Sequence, residues 1–149
     1  MPLTQGPVPP ATVLIVDDDW DFRESLGSYL KMNGLRVVQA SDGREGVRLA
    51  MAERPDVIVM DIMMNERTEG LFALQSIRRT AALRDTAVIV VSSLYADAAG
   101  FSISPERAWM GQDEFIAKPV DLTRLLDSIK AHVSRRGEQV AVQERKEEA

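Results

Sequence analysis

Four apolar runs of the sequence each end in polar residues whose types could do chemistry together. These residues are Asp17, Asp18 and Asp19 after TVLIV, Asp61 after DVIVM, Ser92 and Ser93 after AVIVV, and Lys118 after EFIA. Taken singly, an aspartate in such a place is more often a helix cap than a ligand, a serine a turn residue and a lysine an exposed charge. The joint occurrence of acidic, hydroxyl and ammonium groups favours a functional site.

The chemistry that these groups suit is phosphoryl transfer with a divalent cation. Two carboxylates ~4 Å apart repel by about 4 kcal/mol at an effective dielectric constant of about 20, so a cluster must take up a proton or hold a cation. Oxygen ligands without nitrogen or sulfur favour Mg²⁺, which keeps several waters and takes one or two carboxylates. A further carboxylate can act as the nucleophile, and a lysine and a hydroxyl can stabilise phosphate oxygens.

The elements that must position these residues alternate between strand and helix. Continuous apolar, β-branched runs predict buried strands, and the residues between them carry apolar side chains at helical spacing. Strands are predicted at 12–16, 36–40, 56–60, 87–91 and 114–117, and helices from Asp19 or Asp21 to Gly34, from about 43 to before Pro55, at 70–79, around 105–110 and at 122–136. This alternation predicts an α/β fold with a parallel sheet, in which ligands bind beyond the carboxyl ends of the strands.

The composition fits one domain and excludes several kinds of site. The chain has 149 residues, 45% of them hydrophobic, and a fold of this size buries roughly 70% of its unfolded surface. Without cysteine and with one histidine, it has no disulfide or thiolate zinc site, and a histidine-based metal cage is not expected. That histidine, His132, is predicted to be a surface residue without a role. A net charge of −5 argues against direct nucleic-acid binding.

The ends of the chain differ in composition from its middle. Residues 1–10 carry four prolines and are predicted to be flexible, residues 11–136 form the predicted domain, and the charged residues 137–149 are predicted to be disordered or to continue the last helix. No apolar run approaches the ~20 residues of a membrane span, and the N-terminus does not resemble a signal peptide. We therefore expect a cytoplasmic protein without membrane insertion.

Four segments in this order resemble a response-regulator receiver domain of two-component signalling. They are LIVDDD at 14–19, DVIVMD at 56–61, IVVSS at 89–93 and FIAKPV at 115–120, and the similarity runs from Val13 to about Val133. The resemblance implies a flavodoxin-like, five-stranded parallel sheet of order 2-1-3-4-5 with helices on both faces. It also implies a stand-alone, chemotaxis-regulator-like protein, because the remaining residues are too few for an output domain.

The same resemblance implies how the acidic site works. Asp61 accepts a phosphoryl group from a histidine kinase or a phosphotransfer protein. Asp17, Asp18, Asp61 and the backbone carbonyl of Met63 hold Mg²⁺, and Lys118 contacts the phosphate. Beyond phosphorylation and dephosphorylation of the domain itself, no enzymatic activity is implied.

The resemblance further implies a switch that is read by another protein. Ser92 stands at the family's Thr/Ser switch position and Phe115 at its aromatic position, and the Lys118–Pro119 bond is cis in the family. Segment 92–118 is about four residues longer than usual, and its apolar residues include Tyr95, Phe101, Ile103 and Trp109. We expect the downstream protein, which the sequence does not identify, to dock on residues 95–111, Phe115 and the last helix.

Two other functions compete with this interpretation. A pseudo-receiver or scaffold would keep the fold without phosphorylation, and the complete set of site residues argues against it. A haloacid-dehalogenase-like phosphatase would also form an aspartyl phosphate. That family needs a second aspartate two residues after the nucleophile, where this chain has Met63.

Overall fold

A five-stranded parallel sheet of order β2-β1-β3-β4-β5 forms the centre of the computed structural model, which describes residues 9–64, 69–93 and 111–148. The strands are β1 (Thr12–Val16), β2 (Arg36–Ala40), β3 (Val57–Met60), β4 (Ala87–Ser92) and β5 (Glu114–Ala117). The helices are α1 (Trp20–Met32), α2 (Gly43–Glu53), α3 (Glu69–Arg79) and α4 (Leu122–Glu148), with a 3₁₀ turn at Ala81–Leu83. The fold class and strand order implied by the sequence are confirmed.

The three central strands are buried along their whole length, which explains their uninterrupted apolar sequences. Alternate residues of each strand face opposite sides of the sheet. One set, which includes Leu14 and Ile58, packs against α2 and α3, and the other, which includes Ile15 and Val59, packs against α1 and α4. The sheet is therefore covered by helices on both faces.

Helix caps account for part of the acidity near the strand ends. The carboxylate of Asp19 accepts a hydrogen bond from the Phe22 N–H at the start of α1, and that of Asp42 accepts one from the Glu45 N–H at the start of α2. Both satisfy backbone donors that a helix leaves without partners. Of the three consecutive aspartates after β1, Asp19 is thus a cap.

The last helix extends beyond its predicted end at Arg136 and runs to Glu148. Every later residue whose exposure the structure describes is exposed. Glutamate, glutamine, arginine, lysine and alanine favour helix without any apolar face, so this segment continues α4 rather than ending it. Among the described residues, no helix is both long and apolar enough to cross a membrane.

His132 is buried, so its prediction as a surface residue is wrong. Its Nε2 lies 3.0 Å from Glu114 Oε1 on β5, and the Ser128 hydroxyl donates to Glu114 Oε2. The pair joins α4 to the sheet. Three other predictions lie wholly or mostly outside the described residues: the flexible segment 1–10, the short helix at 105–110 and the docking segment 95–111.

Candidate functional site

The carboxyl ends of four strands bring the predicted site residues to one edge of the sheet. Asp17 and Asp61 directly follow Val16 and Met60, which are paired in the β1–β3 ladder, and Lys118 follows β5 beside Ser92. Backbone hydrogen bonds continue past the strands, from the Asp61 N–H to Val16 O at 2.9 Å and from the Lys118 N–H to Ser92 O at 3.1 Å. The ladder therefore fixes the backbone from which each functional side chain starts.

Three carboxylates meet at this edge. Asp17, Asp18 and Asp61 each offer an oxygen, and these oxygens lie within 4.8 Å of one another. Asp17 and Asp61 are buried, whereas Asp18 is exposed and leaves the cluster open to solvent. A set of oxygen donors with one open side fits a hard divalent cation such as Mg²⁺, which keeps waters in its coordination sphere.

A single ammonium group compensates two of these carboxylates. Lys118 Nζ lies 2.7 Å from Asp17 Oδ2 and 3.3 Å from Asp61 Oδ2. It also lies 4.4 Å from the centroid of the Phe22 ring, a cation–π contact. The lysine therefore lies directly beside both buried carboxylates.

The pKa values of Asp17 and Lys118 reflect burial and their mutual attraction. Burial raises the pKa of Asp17 above its ordinary value, and the hydrogen bond from Lys118 only partly opposes this. Burial would lower the pKa of Lys118, but its hydrogen bond to Asp17 and the charges of Asp17 and Asp61 raise it overall. The ammonium therefore stays protonated over the physiological range, while the buried carboxylate gains from any added cation.

Turns hold the two buried carboxylates in fixed orientations. Asp17 Oδ1 accepts the Asp19 N–H and Asp61 Oδ1 accepts the Met63 N–H, both at 2.9 Å. The Arg23 guanidinium donates to the Asp17 backbone carbonyl at 2.6 Å and ties α1 to this loop. Met63 is therefore part of the site's loop, and its role as a carbonyl ligand stays a prediction.

Comparison with known proteins identifies the family. A family model described as "Response regulator receiver domain" matches residues 13–130. This chain belongs to the response-regulator receiver domain family. The family belongs to two-component signal transduction, as the sequence implied.

Relatives and solved structures agree with this assignment. The receiver is 37% identical over 85% of its length to the response regulator MprA of Mycolicibacterium vanbaalenii, of which it covers 52%. It is 35% identical to a cyclic di-GMP phosphodiesterase of Thermotoga maritima over 76% of this chain and 28% of that protein. The chain thus spans about half the length, or less, of these relatives.

Among solved structures, the receiver resembles the Francisella response regulator 1452 receiver domain with a TM-score of 0.72 and 28% identity, covering 85% of this chain and 98% of that one. It also resembles a CheY-like receiver domain protein from Methanospirillum hungatei, with a TM-score of 0.74 and 25% identity, covering 87% of this chain and 98% of the other.

Gly70 is a site residue of this receiver that the sequence reasoning missed. A Cβ atom at this position would overlap the Asp61 carbonyl oxygen and lie 2.6 Å from Ile62 Cα. The neighbouring Glu69 side chain accepts the Gly43 N–H at 2.8 Å and connects α3 with α2. Only a glycine lets α3 start this close to the Asp61 carbonyl and Ile62. The sequence did offer one sign of this: Gly70 stands in the first turn of the helix that follows the loop after Asp61.

The two predicted switch residues lie on the strands that lead to the site. Ser92 is fully buried at the end of β4, and Phe115, on β5, is half-buried and packs against the core on the α2–α3 side of the sheet. Their movement on phosphorylation stays a prediction. The Lys118–Pro119 bond is cis, as the resemblance implied.

An open groove of about 620 Å³ lies beside Lys118, between the start of α1 and the loop before α4. Its lining includes Phe22, Ser93, Pro119, Val120 and Leu122 and is mainly apolar. The groove therefore adjoins the site residues at Lys118.

Proposed function

We propose that this receiver domain takes a phosphoryl group onto Asp61 from the phosphohistidine of a histidine kinase or a phosphotransfer protein. The observation that carries the proposal is the meeting of the Asp61 carboxylate with Asp17, Asp18 and the Lys118 ammonium at one edge of the sheet. Because phosphohistidine is made from ATP, we propose the cytoplasm as the compartment.

In the proposed step a carboxylate oxygen of Asp61 bonds to phosphorus as the phosphorus–nitrogen bond of the donor breaks, and the electron pair stays with the imidazole. Asp17, Asp18, Asp61 and the Met63 carbonyl would hold Mg²⁺, which neutralises charge on the phosphoryl oxygens. Lys118 is within reach of Asp61 Oδ2 and would exchange its contact with that oxygen for one with the phosphate.

The groove beside Lys118 supports docking of the phosphate donor at this place. Its apolar lining at Phe22, Val120 and Leu122 adjoins the charged site, so a helix carrying the phosphohistidine would bury apolar surface there. After transfer, we propose that Ser92 and Phe115 rearrange and that a downstream protein reads the change through β5 and α4.

Phosphorylation by acetyl phosphate, followed by intact-protein mass spectrometry, tests the proposal. We expect the added mass of one phosphoryl group in the presence of Mg²⁺, and loss of that adduct with EDTA and in Asp61→Asn. Asp127→Asn, which changes an exposed aspartate of α4, should label like the wild type.

The two alternatives give different results in this experiment. A scaffold without phosphorylation would show no adduct and no change in the nuclear magnetic resonance spectrum with beryllofluoride. A phosphatase would release phosphate from added phosphate esters with many turnovers. Either outcome would overturn the proposed function.

A further inference from the structure

A second pocket lies at the opposite edge of the sheet from Asp61. It encloses about 300 Å³ beside the first residue of β4, Ala87, and is bordered by the end of α3, the loop before β4, the residue before β5 and the middle of α4. Its lining is mainly polar and includes four arginines, although the chain as a whole carries a net charge of −5. Positive charge is therefore concentrated at a place that the phosphorylation site does not use.

Part of the wall is rigid and already neutralised. The Arg78 guanidinium donates to the carbonyl oxygens of Gly111, Arg84 and Thr86 at 2.6–2.9 Å and pairs with Asp113 Oδ2 at 2.8 Å. This arginine holds the loops on either side of the pocket in place. Since all of its donors but one are occupied by these contacts, it acts as framework for the site.

The remaining arginines are available for a ligand. Arg84 and Arg135 are exposed, and their guanidinium groups make no hydrogen bond or ion pair within the part of the chain that the structure describes. Arg136 donates from Nη1 to the carbonyl oxygens of Pro55 and Asp56, which orients the group but does not neutralise it. Against these three cations the lining offers one carboxylate without an ion pair, that of Asp85.

We propose that this pocket binds a small anion through its phosphate groups. Guanidinium groups match phosphate oxygens with paired, charge-assisted hydrogen bonds, and three of them favour an anion with more than one charge. A volume at the lower limit of ligand pockets suits pyrophosphate or the phosphates of one nucleotide. The proposal does not depend on phosphorylation of Asp61, which lies at the other ends of the strands.

Calorimetric titration with pyrophosphate and with ATP tests this site, in EDTA so that no divalent cation bridges the anion to the acidic cluster. The double variant Arg84→Gln/Arg135→Gln is expected to bind about tenfold or more weakly, because it loses two charge-assisted contacts. The control Arg79→Gln/Arg124→Gln removes two exposed arginines outside the pocket and the same net charge, and it should bind like the wild type. Amide resonances of Arg84, Ala87 and His132 should shift.

The outcomes separate the sources of the phosphate and the competing explanations. Equal affinity for the two anions supports recognition of the phosphates alone, and tighter binding of ATP supports a nucleotide. Equal losses in both double variants would instead indicate unspecific attraction and overturn the proposal. Absence of binding, binding that disappears in Asp61→Asn, or binding of polyglutamate without binding of pyrophosphate would also overturn it. Circular dichroism of each variant checks that the exposed substitutions leave the fold intact.

Discussion

Replacement of Lys118 by methionine is expected to make the stability of the domain depend on magnesium. The Lys118 ammonium contacts Asp17 Oδ2 at 2.7 Å and Asp61 Oδ2 at 3.3 Å, and Asp17 is only 1% exposed. Methionine keeps an unbranched side chain but removes the charge. Two carboxylates then lose their shared counter-ion in a place where water solvates them poorly.

The expected loss in the free energy of unfolding follows from the burial of the ion pair between Lys118 and Asp17. Removing one partner of a fully buried ion pair costs about 3–5 kcal/mol, and because the Lys118 side chain is 20% exposed we expect about 2–3 kcal/mol in EDTA. For a domain of this size, each 1 kcal/mol lowers the Tm by about 2–4 °C, so the Tm should fall by about 4–12 °C. Mg²⁺ at about ten times its Kd restores about 1.4 kcal/mol, and at about 100 times 2.7 kcal/mol.

Thermal unfolding of Lys118→Met in EDTA and in MgCl₂, followed by circular dichroism at neutral pH, measures both effects. The gain from MgCl₂ should be larger in the variant than in the wild type, since the wild-type ammonium competes for the same oxygens. Lys130→Met, on the exposed side of α4, is the matched control and should leave both values unchanged. Equal gains in Lys118→Met and wild type would refute the idea that the lysine and the cation share these carboxylates.

Two further predictions concern the same edge of the sheet. Because burial raises the pKa of Asp17 above 3.8, its contribution to stability is greatest below that pH and decreases as the pH rises through the raised pKa. In EDTA, the free energy of unfolding of the wild type minus that of Asp17→Asn should therefore fall in urea titrations as the pH rises above 3.8 and through the raised pKa; a constant difference would contradict this. Gly70→Ala should lose about 1–3 kcal/mol through overlap with the Asp61 backbone and should accept phosphate from acetyl phosphate more slowly. Gly137→Ala is the control: a Cβ there meets no atom within 4 Å, so its free energy of unfolding should rise by up to about 1 kcal/mol. If Gly70→Ala were labelled as fast as the wild type, the close contact at Gly70 would not position Asp61 for the reaction.

The site was predictable because it depends on strand ends rather than on side-chain packing. The runs that form β1, β3 and β4 are apolar at nearly every residue, and the structure buries them completely. Once these strands are parallel and adjacent, the residues that follow them must share an edge. Asp17 and Asp61 are brought together by this topology, and Lys118 joins them because β5 pairs in parallel with β4.

Features that depend on packing between distant segments were not predictable. His132 follows Ile129 by three residues and so shares its helical face, but only the position of Glu114 on β5 makes a buried histidine favourable there. Similarly, the need for glycine at position 70 arises from the approach of α3 to the Asp61 carbonyl. The choice of Asp19 rather than Asp21 as the α1 cap depended on backbone geometry that composition does not determine.

The length of α4 means that a small tilt of the helix moves its far end by a larger distance. Its 27 residues form a rod of about 40 Å that begins four residues after Lys118. The Arg136 contacts with the Pro55 and Asp56 carbonyls fix the rod to the far edge of the sheet, and the part of the helix beyond Arg136 extends for about 18 Å. A rigid tilt of about 10° at that anchor moves the end of the rod by about 3 Å. A small rearrangement beside Asp61, the proposed phosphoacceptor, would thus become a displacement at a point that the sheet itself does not reach.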